Sequence, residues 1–390
     1  MKKLLLVFTL ISQLLSAQQF PLSEEAEISV ITIGPYQGEL YSAFGHSSFR
    51  VFDPKARFDA AYNYGVFNFN QPNFYLNFTR GYLYYQLGVY DYPSFEAHYI
   101  EHDRYVHEQV LDLTPEQKQK LFDYLQWNAL PENRFYRYDY FYNNCATKMR
   151  DVVKHVLQDS VRFDGSHIET QYTIRELTDL YLKEQPWGDL GIDICLGLPM
   201  DKVATPDEYM FLPDYVEAGF EHAYIKKNGA EFPIIKTKNI IFDSREQVAK
   251  QQRYGPLIAF SIVAVLIATI TFLDFRKKRL SNWLDGILFG VTGAIGILLF
   301  VLWFFTDHNA AARNMNLLWA FPLHLVAAIA LVKGPRWLRT YFLGTAILCV
   351  LLLLSWTILP QQLHTALIPL VLAEGIRGFA QYRIRQTVRS

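Results

Sequence analysis

Cys145 stands in Tyr142-Asn143-Asn144-Cys145-Ala146-Thr147-Lys148, where a polar stretch gives way to a helical pattern. A thiol is a weak nucleophile until it ionises, and a helix N-terminus or a neighbouring imidazole lowers its pKa. The first arrangement is legible at once. Ala146, Met149, Val152, Val153, Val156 and Leu157 recur at helical spacing, and Asn144 is a good N-cap. Cys145 then falls in the first turn, where backbone N–H groups lack intrahelical partners and favour a thiolate. The imidazole is offered by His46, far upstream in Ala43-Phe44-Gly45-His46-Ser47-Ser48-Phe49, where small neighbours leave room around the ring at the start of a strand-like run. His155 is on the Cys145 helix but almost three turns on, too far to act as its base.

An imidazole acting as base needs a third group to orient it. Asn63, in Ala61-Tyr62-Asn63-Tyr64-Gly65 on the following strand, fits that role and equally fits a polar position on an exposed strand face. Asn144, Lys148 and Arg150 flank the thiol and are candidate substrate contacts, the two cations for a phosphate; ordinary solvation explains the cations too. The aromatic run over residues 135–142 reads either as core or as the wall of an acyl-chain groove. Cys195 has no polar activating neighbour and reads as packing, and Cys349 lies in a long apolar run. His98 and His102 are spaced for one helical face but lack a third ligand, so no metal is expected. Neither a phosphate-binding glycine loop nor a Gly-x-Ser-x-Gly elbow is present, and no cofactor is expected.

The elements that must position these residues divide into two halves. Of 25 tyrosines only Tyr254, Tyr341 and Tyr382 follow position 250, where a polar-aromatic chain turns into apolar blocks. Before that boundary, strands are predicted over 27–33, 47–52, 60–69, 82–90 and 105–113. Thr114-Pro115-Glu116-Gln117 opens a helix with a capping box, and the Cys145 helix follows. The fold class is α+β, an antiparallel sheet against a few helices. Residues 1–17 read as an export signal: Lys2 and Lys3, an apolar core, then Leu15-Ser16-Ala17. That leaves an extracytoplasmic domain over 18–250 and a membrane domain over 251–390.

Five spans are predicted, over 256–273, 283–305, 317–332, 337–359 and 363–376. With the first domain outside, eleven basic residues fall in the inner loops and tail, against Arg313 in the short outer loops, which is the positive-inside pattern. Gly286, Gly290, Gly293 and Gly296 suit close helix packing in lipid. The outer loop between the second and third spans gathers Asp307, His308, Asn314 and Asn316. These four are further candidates for substrate contact, at a lipid headgroup; docking of the domain or capping of helix ends would also use them. A net charge of -1 argues against nucleic acid as a partner.

Gly45-His46-Ser47, Tyr62-Asn63-Tyr64-Gly65, Pro131-Glu132-Asn133-Arg134 and Asn143-Asn144-Cys145-Ala146-Thr147 together resemble the periplasmic domain of Lnb-type lipoprotein N-acyltransferases. Thr306-Asp307-His308 and Asn314-x-Asn316-Leu317-Leu318-Trp319 resemble that family's membrane part. The resemblance implies a permuted papain-like fold, similar to lecithin:retinol acyltransferase, in which histidine precedes cysteine, with Cys145 as nucleophile and His46 as base. It implies a multi-pass protein of the bacterial inner membrane, a membrane phospholipid as acyl donor and a diacylated lipoprotein as acceptor. Read from the residues alone, two rivals stay open: a membrane-anchored cysteine hydrolase of peptides or cell-wall amides, and a non-enzymatic binding or sensor module.

Overall fold

The computed structural model describes residues 20–68, 70–244 and 255–387. The expected export signal lies outside the described residues. Strands β1 (Glu27–Ile33), β2 (His46–Asp53), β3 (Phe58–Val66), β4 (Tyr84–Asp91), β5 (Val106–Leu111) and β6 (Phe135–Arg137) form one antiparallel sheet. Two short helices, α1 (Phe74–Arg80) and α2 (Tyr92–Glu101), flank β4 in the chain; α3 (Pro115–Ala129) and α4 (Cys145–Leu157) follow. Helices α5 (Ile174–Leu182), α6 (Pro186–Cys195), α7 (Pro206–Tyr209) and α8 (Pro213–Glu221) come next, interleaved with a small sheet of β7 (Val161–Phe163), β8 (Ala223–Lys227) and β9 (Ala230–Pro233). The last strand, β10 (Ile235–Phe242), returns to the large sheet beside β5, giving the order β10-β5-β1-β2-β3-β4-β6.

β1 is buried on both faces, with Ser29 and Thr32 the buried polar residues among its apolar ones. Ile28 and Val30, with Phe49, Val51, Tyr62 and Tyr64, pack against Leu121, Phe122 and Leu125 of α3 and Met149, Val152 and Val153 of α4. On the other face Ile31, Ile33 and Ala61 meet Tyr92 and Phe95 of α2. Register puts His46 opposite Ile33, on this second face and at the end of β2. The α3 capping box forms as its sequence predicts, with Thr114 and Gln117 satisfying each other's backbone N–H groups.

The membrane half is helical: α9 (Pro256–Lys277), α10 (Asn282–Phe305), α11 (Leu323–Ala330), α12 (Trp337–Ser355) and α13 (Ile368–Thr387). α9, α10 and α12 are long and apolar enough to cross a membrane; residues 315–330 form a shorter apolar stretch. The third helix is thus only eight residues, preceded by a tight turn at Met315–Leu318, and the fourth ends at Ser355 rather than 359. The last helix starts later than expected and runs on to Thr387. Its polar continuation is absorbed internally: fully buried Arg377 pairs with Asp274 at 2.8 Å and Asp285 at 2.5 Å, and Gln381 donates to Asp285 at 2.6 Å. Arg377, one of the eleven basic residues assigned to the inner loops and tail, is therefore a structural cation. Gly293 and Gly296 meet the backbone of residues 320–325 directly, and Gly286 meets nothing.

A polar seam joins the halves. The C-terminal carbonyls of α6 have no intrahelical donors. Asn314 donates to the carbonyls of Ile194 (2.8 Å) and Cys195, Asn316 to those of Asp193 and Ile194, and Gln361 to that of Leu196 (3.0 Å). The Gly197 N–H donates to Ala310 O at 2.7 Å, and a Cβ on Gly197 would lie 1.9 Å from Ala312 O, so only glycine permits this approach. Arg137 pairs with Asp307 at 2.5 Å, and the Trp187 and Phe260 rings meet at 5.9 Å. The start of α9, through Phe260, and the loop after α10, through Asp307, meet the first half of the chain, and the basic turn 276–279 joins the opposite ends of those two helices.

Candidate active site

Cys145 is the first residue of α4. Asn144 caps the helix: its Oδ1 accepts from Thr147 N–H at 2.8 Å, and Thr147 Oγ1 accepts from Asn144 N–H at 2.9 Å. The Asn144 amide nitrogen donates to Tyr140 O and Phe211 O, at 2.9 and 2.8 Å, which ties the helix end to two loops. The sulfur, half-buried, is held at a fixed point in the first turn.

His46 and Asn63 come to that point along neighbouring strands. His46 Nε2 lies 2.6 Å from Asn63 Oδ1. A carbonyl oxygen only accepts, so Nε2 carries the proton, and Nδ1 is the ring nitrogen left for the thiol. Burial pushes the Cys145 thiol up, but the His46 charge and hydrogen bond, with the Ser47 and Ala146 backbone N–H groups, outweigh it and hold the thiol below its ordinary value. The strand ladder is interrupted between Asn63 and Val66, a bulge of the kind found beside active sites. Gly65, in this bulge, has φ +88°, and a Cβ there would touch the Cys145 Cβ at 3.4 Å. The chain turns there only because the residue has no side chain.

Two residues that the sequence reading passed over complete the surroundings. Tyr99 of α2 stacks on the His46 ring, with centroids 6.1 Å apart. Arg104 lies over the Tyr99 ring, its guanidinium carbon 4.9 Å from the centroid, with Nε donating to Gly34 O at 2.7 Å. Its Nη2 is buried with no partner among the described residues, and its charge and that of the Cys145 thiolate favour each other. His102-Asp103-Arg104 looks like solvated sequence, so no local pattern marks either residue.

The remaining candidates are engaged in structural contacts. Lys148 points its Nζ at the Tyr136 ring, 4.5 Å from the centroid, and burial lowers its pKa. Arg150 bonds Asp207 O and pairs with Asp151 at 2.6 Å. Asn144 is engaged in capping, Asp307, Asn314 and Asn316 in the seam, and His308 is half-buried in the same loop, its N–H donating to Thr306 Oγ1 at 3.3 Å. Burial pushes the Cys195 thiol up, and it has no activating partner among the described residues. A groove of about 510 Å³ between α9, α12 and α13 is lined by apolar side chains such as Phe275, Leu343 and Phe379, within the membrane half.

An α+β domain that brings thiol, imidazole and amide together at the start of a helix, seated on a helical membrane domain, defines a membrane-bound class with a thiol-centred site. Two family models match the chain: the Lnb N-terminal periplasmic domain over residues 23–179, and the Lnb transmembrane domain over residues 248–388. Between them they take in most of the sequence, and the chain belongs to the Lnb family, whose function is lipoprotein N-acyltransferase-like. It is an inner-membrane protein with its N-terminal domain in the periplasm. No curated protein and no solved structure matches the chain.

Proposed function

We propose that the chain moves an acyl chain from a membrane phospholipid, through a thioester on Cys145, to the α-amine of a lipoprotein's N-terminal diacylglyceryl-cysteine. The Cys145 thiolate attacks the ester carbonyl. The oxyanion is met by the Cys145 N–H, an orphan donor of the first helical turn. The intermediate collapses as imidazolium His46 gives its proton to the departing glyceryl oxygen, so a lysophospholipid leaves and the thioester remains. The lipoprotein amine then attacks the thioester, His46 takes the amine proton, and collapse yields the amide and the free thiolate. Dividing ester-to-amide exchange this way replaces one difficult step with two easier ones. Asn63 keeps the proton on Nε2 so that Nδ1 can serve both steps. The membrane domain holds both lipids in one leaflet beside the thiol, which raises their effective concentration.

The observation that carries the reading is His46 set between Cys145 and the Asn63 oxygen, 2.6 Å from its Nε2. Its test is the acylation state of lipoprotein N-termini in cells carrying Cys145→Ser. Free α-amines accumulating with the variant and not with the wild type support the transferase. Fully acylated N-termini with the variant sink it, and loss of cell-wall cleavage instead of acylation points to a hydrolase.

A further inference from the structure

Helix α1 has no part in the site, yet its surface is unusual. Tyr75 is 74% exposed, and Leu76 and Phe78 are also exposed, three large apolar side chains on a seven-residue helix. Such a patch in water marks a contact surface. This helix is held at the membrane: the carbonyl of its last residue, Arg80, accepts from Asp307 N–H at 2.8 Å. Asp307 comes two residues after Phe305, the end of α10, which is 71% exposed. The exposed side chains of α1 thus stand beside the end of a membrane-length apolar helix, the position where interfaces favour aromatic side chains.

The inner face of α1 leads toward the thiol. Phe78 meets buried Phe74 at 6.1 Å between centroids, and Phe74 meets Phe67 at 6.5 Å. Phe67 meets Tyr85 at 5.3 Å, and Tyr85 stacks on Tyr138 at 4.3 Å. Tyr138 and Cys145 flank Gly65, so the row of rings runs from the bilayer surface to the sulfur.

We propose that α1 is the doorway for the acyl chain. Tyr75, Leu76 and Phe78 lie among the outer-leaflet lipids, and one acyl chain of a diacyl lipid passes along the rings to Cys145. The inference rests on the proposed function for its ligand and adds the place and route of access.

The test uses the full-length protein in vesicles of phosphatidylethanolamine and phosphatidylglycerol, doped with a phospholipid bearing a diazirine near one acyl terminus. Light should attach the probe to peptides covering α1 and residues 135–142. Label confined to α9–α13 would overturn the doorway. In the second arm, Leu76→Asp with Phe78→Asp should slow acylation of Cys145 from vesicle phospholipid by at least about tenfold, since two apolar contacts with lipid are lost. Alkylation by water-soluble iodoacetamide should keep its wild-type rate. Acylation at the wild-type rate in the double variant would also overturn the proposal. If the double variant fails to fold, the cross-link on the wild-type chain decides alone. If the wild-type chain takes no acyl group, the proposed function fails, and the cross-link still decides whether α1 meets lipid.

Discussion

Asn63→Ala removes one oxygen, 2.6 Å from His46 Nε2, and leaves the sulfur with its Ser47 and Ala146 N–H donors. While the thiol is neutral, that oxygen receives an ordinary hydrogen bond of about 0.5–1.5 kcal/mol; once the proton has moved to the imidazole, the bond is to a cation and contributes about 1.5–3 kcal/mol. The thiolate form loses the difference, about 1–1.5 kcal/mol, a five- to tenfold fall in thiolate fraction at a pH below the thiol's own pKa. Loss of control over the ring tautomer adds to this. The assay is the rate of alkylation by iodoacetamide across pH, on the full-length protein in detergent, with His46→Ala as the limiting case. Because His46 holds the Cys145 thiol below its ordinary value, the wild-type protein should react well below the usual thiol pKa of about 8.5. Asn63→Ala should react about tenfold more slowly near pH 6 and like wild type near pH 10, where the thiol ionises unaided. Wild-type rates at every pH would refute the reasoning. So would an equal slowing at both ends, which would indicate lost access instead of lost ionisation.

Gly197→Ala forces a Cβ to within 1.9 Å of Ala312 O, so the seam should open: acylation of Cys145 from vesicle phospholipid should fall sharply while iodoacetamide labelling persists. Arg377→Met strands Asp274 and Asp285 without their cation and should cost about 3–5 kcal/mol, read as a lowered thermal midpoint in detergent. Burial, with Asp193 and Asp189 beside it, pushes the Asp179 carboxyl up to about 8. The folded chain then holds a proton that the unfolded chain releases above about pH 4, so this group makes stability fall as pH rises from about 4 to 8. Asp179→Asn should remove that slope and stabilise the protein at pH 8 by about 1–3 kcal/mol, measured by denaturant unfolding at both pH values.

The sheet's first five strands and the capped helices α3 and α4 are legible because their signals are local: β-branched and aromatic runs between turns, and Thr114 or Asn144 three residues ahead of a reciprocating side chain. Cys145, His46 and Asn63 are legible for the same reason, since a nucleophile at a helix start and an imidazole at a strand start each carry a short pattern. β10 carries none. It pairs with β5, over a hundred residues earlier, as an exposed edge bearing Lys236 and Lys238, so nothing in its own composition announces burial. Arg104 and Tyr99 matter only through packing across the sheet face. The outer-loop polar residues announce that something is bound there but not what, and the carbonyls they meet on α6 carry no sequence mark at all. The last helix outruns its apolar stretch because Arg377 and Gln381 find acidic partners on two other helices, and apolar run length alone cannot show that.

That buried cluster also has a direction in time. Asp274 and Asp285 leave the ribosome about a hundred residues before Arg377. During synthesis the first two membrane helices therefore precede their cation, with Ser281 alone donating to Asp274, until α13 supplies the guanidinium that neutralises both carboxylates. A chain truncated before α13 keeps those acids without their cation, and an unpaired charge there is costly. α13 thus acts as a keystone: the first two membrane helices reach their charge-paired state only once it has packed against both.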